Sequence, residues 1–270
     1  MLPNLVDSHC HLPLIASPER PLESILSDAH AAGVGHVLCV SVDLETLPGV
    51  LATARLPGVF ASVGVHPNTD ADAREPSVDE LVELAAAPGV VAIGETGLDY
   101  YRLEGTAEPQ HARFRHHIRA ARTLGKPLII HTRDSAPDVL RVLREERASE
   151  VGGVMHCFVE DWDTASAAID LGFMISLSGI VTFKSAQSLQ AVAKRLPRES
   201  LLVETDAPWL APVPFRGRQN EPAYVRHTAA FLARLREEDE AHLAATTTAN
   251  FFRLFTGAVP AGPTPASHGA

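Results

Sequence analysis

A chain of 270 residues with 46% hydrophobic content is too long for a minimal domain and suits one α/β barrel. Its net charge of −10, from 33 acidic against 23 basic residues, excludes a broad nucleic-acid or anionic-membrane surface, so a polyanionic substrate needs a local cationic site. Cys10, Cys39 and Cys157 form no CxxC pair, Met1–Asp7 is no secretory leader, and no apolar run nears the ~20 residues of a membrane span; a cytoplasmic protein is expected.

Short apolar runs alternate with helical patterns along the whole chain. The first strand is expected at Asn4–Ser8, followed by an amphipathic stretch at Pro21–Ala32 and a second strand at His36–Ser41. Strands at Val59–Val65 and Val90–Gly94 flank a helix at Leu81–Ala87. The helix Gln110–Leu124 repeats Phe114, Ile118 and Ala121 at helical spacing, with Arg115, Arg119 and Arg122 on its other faces. Then come strand Leu128–His131, helix Ala136–Arg147, strand Gly153–Cys157, helix Thr164–Leu171, strand Phe173–Leu177, helix Ala186–Leu196 and strand Leu201–Glu204. Eight such strands predict parallel βαβ units closed into a single-domain (β/α)8 TIM barrel over residues 1–256. Residues 257–270, rich in Pro, Gly, Ala and Ser, read as a disordered tail. A doubly wound sheet would carry a glycine-rich phosphate loop after its first strand, where this chain has Asp7-Ser8-His9-Cys10-His11-Leu12.

Polar residues gather at the C-terminal ends of these strands. The first ends in His9 and His11, the third in His66, the fourth in Glu95, the fifth in His131, the sixth in His156, and the eighth in Glu204 and Asp206. In a barrel those ends share one rim, where active sites are built. His9 and His11 are two apart on an extended segment and point the same way, which makes half of a tetrahedral metal site. A single buried histidine is more often structural than a ligand, but a set of this size at strand ends reads as a metal centre, since buried acids are costly unless paired or metal-bound.

Other residues leave two readings each. Arg102 and Arg133 either grip a phosphate or close salt bridges with Glu104 and Asp134. Trp209 either stacks on a base or plugs the barrel mouth. Arg113, Arg115, His116, His117, Arg119 and Arg122 read as a solvated helix face rather than a DNA groove.

The chain resembles the TatD-type deoxyribonucleases, a family within the amidohydrolase-like barrels. The resemblance rests on Asp7-Ser8-His9-Cys10-His11, Gly64-Val65-His66-Pro67, Gly94-Glu95-Thr96-Gly97-Leu98-Asp99-Tyr100, His131-Thr132-Arg133-Asp134 and His156-Cys157-Phe158. It continues through Ser178-Gly179-Ile180-Val181-Thr182-Phe183-Lys184, Glu204-Thr205-Asp206-Ala207-Pro208 and Asn220-Glu221-Pro222, so that it spans about residues 4–255 in order and spacing. It implies two divalent metal ions (Mg, Mn or Zn), one bound by His9, His11 and Asp206, the second by His131 and His156, with Glu95 bridging. It places His66 and Glu204 close by, against substrate or orienting ligands, and Asn220 among the substrate contacts. Two positions depart from the family's pattern: Pro13 stands where an Asp is frequent, and Gln219 where a basic residue is common, which bears on one phosphate contact.

The implied activity is an exonuclease that cleaves DNA, single strands preferred, through a metal-activated water. Asp206 would serve as general base, with Glu95, His66 and Glu204 completing the catalytic group and Arg102 and Arg133 balancing phosphoryl charge. The alternative on the same fold is hydrolysis of a small amide, ester or lactone. No partner protein is implied.

Overall fold

The computed structural model describes residues 5–69, 74–101, 103 and 105–260. In chain order the elements are β1 (Leu5–Cys10), α1 (Leu12–Ile15), α2 (Leu22–Ala31), β2 (Val34–Cys39), α3 (Leu47–Thr53), β3 (Val59–Val63), α4 (Val78–Leu84) and β4 (Val90–Asp99). They continue with α5 (Glu108–Leu124), β5 (Leu128–Arg133), α6 (Ala136–Glu145), β6 (Gly153–Met155), α7 (Trp162–Asp170), β7 (Phe173–Leu177), α8 (Gln187–Arg195), β8 (Leu201–Val203), α9 (Val225–Arg236) and α10 (Glu240–Leu254). All seven adjacent strand pairs are parallel, in the order β1 to β8. The sheet returns on itself through one parallel bridge between Cys10 and Ala207. Side chains complete the seam where the ladder is thin: Asp7 accepts from Thr205 N and Oγ1 at 2.8 and 2.6 Å, and Ser8 Oγ donates to Val203 O at 2.9 Å. The result is the expected single-domain (β/α)8 barrel. Among the described residues no helix is long and apolar enough to cross a membrane.

Strand alternation builds both the core and the rim. Leu38, Ile129, Val154 and Leu202 pack in one cluster with Phe251 of α10 and Phe255 just after it, filling the barrel interior from the end where the strands begin. Their sequence neighbours Val37, Leu128, Met155 and Val203 face the other way, into the layer shared with the helices. Two residues beyond Ile129, Val154 and Leu202 stand His131, His156 and Glu204, so the period of two carries the interior face upward into the polar cluster.

Most strand ends differ from the sequence expectation, and two of the differences bear on the site. β1 runs on to Cys10, so His9 lies inside the strand. β4 runs past Gly94 to Asp99, because after an irregularity between Ile93 and Thr96 it resumes pairing with β5 from Thr96↔Ile130 to Asp99↔Arg133. Gly97 permits that approach: at φ +148°, a Cβ there would lie 2.0 Å from the His131 carbonyl oxygen. Four helices, α1, α3, α9 and α10, are not among those expected. In α10 the run Thr246-Thr247-Thr248 has low helix propensity, and the helix is sustained by burial of Leu243, Ala244, Thr247 and Phe251 and by the Asp239 cap on His242 N.

Candidate metal centre

β1 and the residue that follows it deliver the first two candidate ligands, His9 and His11. His9 Nε2 and His11 Nε2 are 3.3 Å apart, and Asp206 Oδ1 lies 3.8 Å from the first and 3.5 Å from the second. His11 Nδ1 hydrogen-bonds the Val40 carbonyl at 3.1 Å, which assigns the proton to Nδ1 and turns the Nε2 lone pair toward the centre. Asp206 is pinned by its backbone: its N–H donates to His9 O at 2.9 Å, and its φ is +56°.

Glu95 occupies the middle of the cluster. Its Oε2 lies 2.6 Å from His156 Nε2 and 3.6 Å from His9 Nε2, and its Oε1 lies 4.0 Å from both His11 Nε2 and His66 Nε2. Although His156 is so near, Oε2 is buried without hydrogen-bond alignment to any partner, as expected of ligand atoms turned toward a common point. Burial alone would raise the Glu95 pKa, but His156, His66 and His9 hold it well below the usual carboxylate range. His9 is kept neutral chiefly by burial and then by His156.

His131 and His66 meet edge to face, with His131 Nδ1 3.3 Å from His66 Nε2 and 3.4 Å from His156 Nε2. Their outer nitrogens separate their roles. His131 Nε2 faces Asp99 Oδ2 at 3.1 Å, so its Nδ1 carries the lone pair. His66 Nδ1 instead accepts from Asn68 N at 3.0 Å, so its Nε2 carries the proton and is a donor. His66 belongs by distance to a third ligand-like group with Glu95 and His131, alongside His9–His11–Asp206 and His9–Glu95–His156. Its tautomer makes it a hydrogen-bond donor at the edge of the centre rather than a metal ligand. Burial, aided by His131, lowers its pKa to about 3, so that it stays neutral near pH 7.

Four imidazole lone pairs and two carboxylates therefore converge, with no lysine or arginine among them. That donor set fits divalent cations.

Asp99 is the residue sequence reasoning missed. It is almost fully buried, accepts from Asn68 Nδ2 at 2.7 Å as well as facing His131, and its pKa is lowered to about 2, the His131 hydrogen bond outweighing the cost of burial. The available signal was the second acid of the Glu95-Thr96-Gly97-Leu98-Asp99 stretch, since residues four apart on a strand share a face. Carboxylates behind a ligating imidazole raise its basicity and fix its ring, and their loss costs about 10–100-fold in metal affinity. Asp99→Asn is expected to weaken metal binding by about that factor, as read by calorimetric titration with Mn²⁺; unchanged affinity would remove Asp99 from the centre's support.

The remaining predicted site residues distribute unevenly. A cavity of about 1040 Å³ is lined by His11, His66, Glu95, His131, His156, Asp206, Arg133 and Trp209, among others. Arg133 lies 3.8 Å over the Tyr101 ring and forms no ion pair with Asp134. Trp209, half exposed, meets His11 edge to face at 5.3 Å rather than closing the mouth. Glu204 is withdrawn from the cavity and fully buried: its Oε1 accepts from Cys157 N at 2.7 Å and sits 3.5 Å from His156 Nδ1, behind that ring rather than facing the cavity.

Asn220 requires correction as a substrate contact. It is fully buried, its amide donates to Thr205 O at 2.8 Å and Trp209 O at 2.6 Å, and its Oδ1 accepts from Glu221 N at 2.9 Å. It clamps the loop that carries Asp206 and Trp209. Arg102, with its suggested partner Glu104, lies outside the described residues. The face of α5 is also only partly solvated. Arg115, Arg119 and Arg122 pair with Glu145, Glu146 and Glu150, whereas Arg113 is buried against Glu75 and donates to the His66 and Pro67 carbonyls. His117 accepts from Val65 N at 3.0 Å, so α5 holds the His66 segment from behind.

The family model described as TatD related DNase matches residues 6–256. The chain is 48% identical over 257 residues to the uncharacterized metal-dependent hydrolase YcfH of Escherichia coli K12, covering 93% of this chain and 95% of that one. It is 35% identical over 239 residues to the 3'-5' ssDNA/RNA exonuclease TatD of Escherichia fergusonii, covering 86% of this chain and 92% of the relative. Among solved structures it is similar to YJJV, a TatD homolog from Escherichia coli K12, with TM-score 0.87 and 29% identity over 95% of this chain and 99% of that one.

Proposed function

The chain belongs to the TatD-related DNase family of metal-dependent hydrolases, and from that premise we propose that it is a two-metal nuclease that shortens single-stranded DNA from an end. The observation that carries the reading is the joining, within one cavity of about 1040 Å³, of the histidine–carboxylate centre with Arg133 and Trp209. Such a cavity accommodates a nucleotide, whereas a narrow one would have favoured a small amide, ester or lactone. A relative named for action on ssDNA and RNA supports the substrate class and adds RNA to the trial.

His9, His11 and Asp206 would hold one divalent ion and His131 and His156 a second, with Glu95 as the carboxylate within reach of both sets. Bound divalent ions supply Lewis-acid charge and lower the pKa of a coordinated water. The chain's own residues do the rest. Asp206 takes the proton of the attacking water at its carboxylate oxygen. His66 donates from Nε2 to a phosphoryl oxygen, and Arg133, held flat by Tyr101, presents its N–H edge to the same group. Asp99 keeps His131 in the required tautomer, and Glu204 places negative charge 3.5 Å from His156 Nδ1. Trp209 offers a face to a base. Imidazole donors favour Zn or Mn, and the carboxylates admit Mg.

The test incubates metal-reconstituted protein with end-labelled single- and double-stranded DNA and an RNA strand, beside a panel of esters and amides, with Mg²⁺, Mn²⁺ or Zn²⁺. Progressive shortening from one end, faster on single strands, is expected. Cuts confined to the interior of circular DNA, or no phosphodiester hydrolysis with any of these ions, would defeat the reading.

A further inference from the structure

We propose that the rim beside the cavity carries a track for the continuing single strand, beyond the nucleotide being cut; this rests on the nuclease reading and extends it. The track is built by the loops that follow β7 and β8. These loops are packed together: Gly179 leaves no room for a Cβ, which would lie 2.1 Å from the Leu210 carbonyl oxygen, and Val213 N donates to Thr182 Oγ1 at 2.9 Å. Ile180 and Leu210, one from each loop, line the cavity next to Trp209. Phe183 N donates to Ile180 O at 2.9 Å, which places Phe183 just outside that edge.

Cations and rings alternate from there outward. The Arg216 guanidinium lies 4.0 Å over the Phe183 ring. Phe215 stacks on Tyr224 at 4.1 Å, and the Arg218 guanidinium lies 5.9 Å from the Phe215 ring. Lys184, Arg216 and Arg218 are exposed. Of the four arginine–aromatic contacts among the described residues, three lie on loops at this rim, on Tyr101, Phe183 and Phe215.

The charge pattern separates this rim from the barrel wall. On the wall, Arg115, Arg119, Arg122 and Arg141 are all engaged by carboxylates. At the rim, Lys184, Arg216 and Arg218 form no ion pair among the described residues. A guanidinium lying on a ring keeps its N–H edge free for phosphate, and the half-exposed Trp209 ring at the inner end of this rim can take a stacked base regardless of sequence. In a chain of net charge −10, such a stretch is the local cationic site a polyanion requires.

The experiment compares the metal-loaded protein with K184Q/R216Q/R218Q and with the control R55Q/R144Q/K194Q. The control removes the same charge from exposed helix ends on the opposite side of the barrel. Rates are measured on a single-stranded 20-mer and on a dinucleotide across a series of NaCl concentrations, with thermal melts to verify folding. Each phosphate contact contributes about 0.7 to the salt slope on single strands, so the rim variant should lose about 2 units of slope. Its kcat/KM for the 20-mer relative to the dinucleotide should fall about tenfold. An unchanged slope and ratio in a protein that still degrades DNA would overturn the track and leave the nuclease reading standing, as would a control that loses as much as the rim variant. If the protein cuts neither substrate, the nuclease reading fails. Anisotropy of the labelled 20-mer on metal-free protein then decides the track alone: binding weakened only in the rim variant supports it, and no binding overturns it.

Discussion

Asp206→Asn is expected to fold and to bind metal at saturation, yet to lose about 10²–10⁴-fold in kcat. The exchange keeps the side chain's volume and one oxygen toward His9 and His11, and removes charge and basicity. The fold should tolerate it, because the local backbone is held by bonds that the side chain does not make. Asp206 N donates to His9 O, and Asn220 grips the carbonyls of Thr205 and Trp209 on either side. Melts, metal content and single-turnover rates separate the cases. Near-normal turnover with metal bound would show that the proton goes elsewhere, and neither neighbour is well placed to take it. Glu204 is buried and committed to Cys157 N, and His66 already carries a proton on the nitrogen facing the centre.

The barrel and the gathering of histidines and acids at its rim were legible because both follow from short-range periodicity. Alternation by twos takes Ile129 to His131, Val154 to His156 and Leu202 to Glu204, and places His9 beside His11. What periodicity does not encode is which nitrogen of a ring is free. The separation of His66 from His131 depends on Asn68 N and Asp99 Oδ2, partners supplied by a loop and by the last residue of β4. Arg113 and His117 were misread for a similar reason. On α5 they sit in the same charged pattern as Arg115 and Arg119, and only the packing of α5 against the His66 loop distinguishes the buried pair. Asn220 was expected as a substrate contact from the resemblance carried by Asn220-Glu221-Pro222. A fully buried amide with both N–H donors and its oxygen engaged by backbone presents no donor to a ligand.

Glu95→Gln should differ from Asp206→Asn in kind, because Glu95 lies within reach of His9, His11, His66 and His156 together. Gln keeps the shape but replaces a charged oxygen with an amide N–H₂, which repels a cation and cannot ligate. Both sites share this carboxylate in the proposed centre, so the loss should appear first in metal content and then in rate. Linkage gives the measurement. A ligand at about 100 times its Kd stabilises the fold by ~2.7 kcal/mol, which in a chain of this size is a rise of about 5–10 °C in Tm. The wild-type protein is expected to gain at least that much on adding Mn²⁺. Glu95→Gln should gain less than half as much at the same concentration, and elemental analysis should find fewer than the two ions per chain expected of the wild type. Activity should fall by at least the Asp206→Asn factor and recover partly at high metal concentration, whereas Asp206→Asn should not recover. A Glu95→Gln protein that retains two ions and the full thermal gain would take Glu95 out of the space between the metals. Its charge would then serve the imidazoles alone, which would account equally well for its depressed pKa.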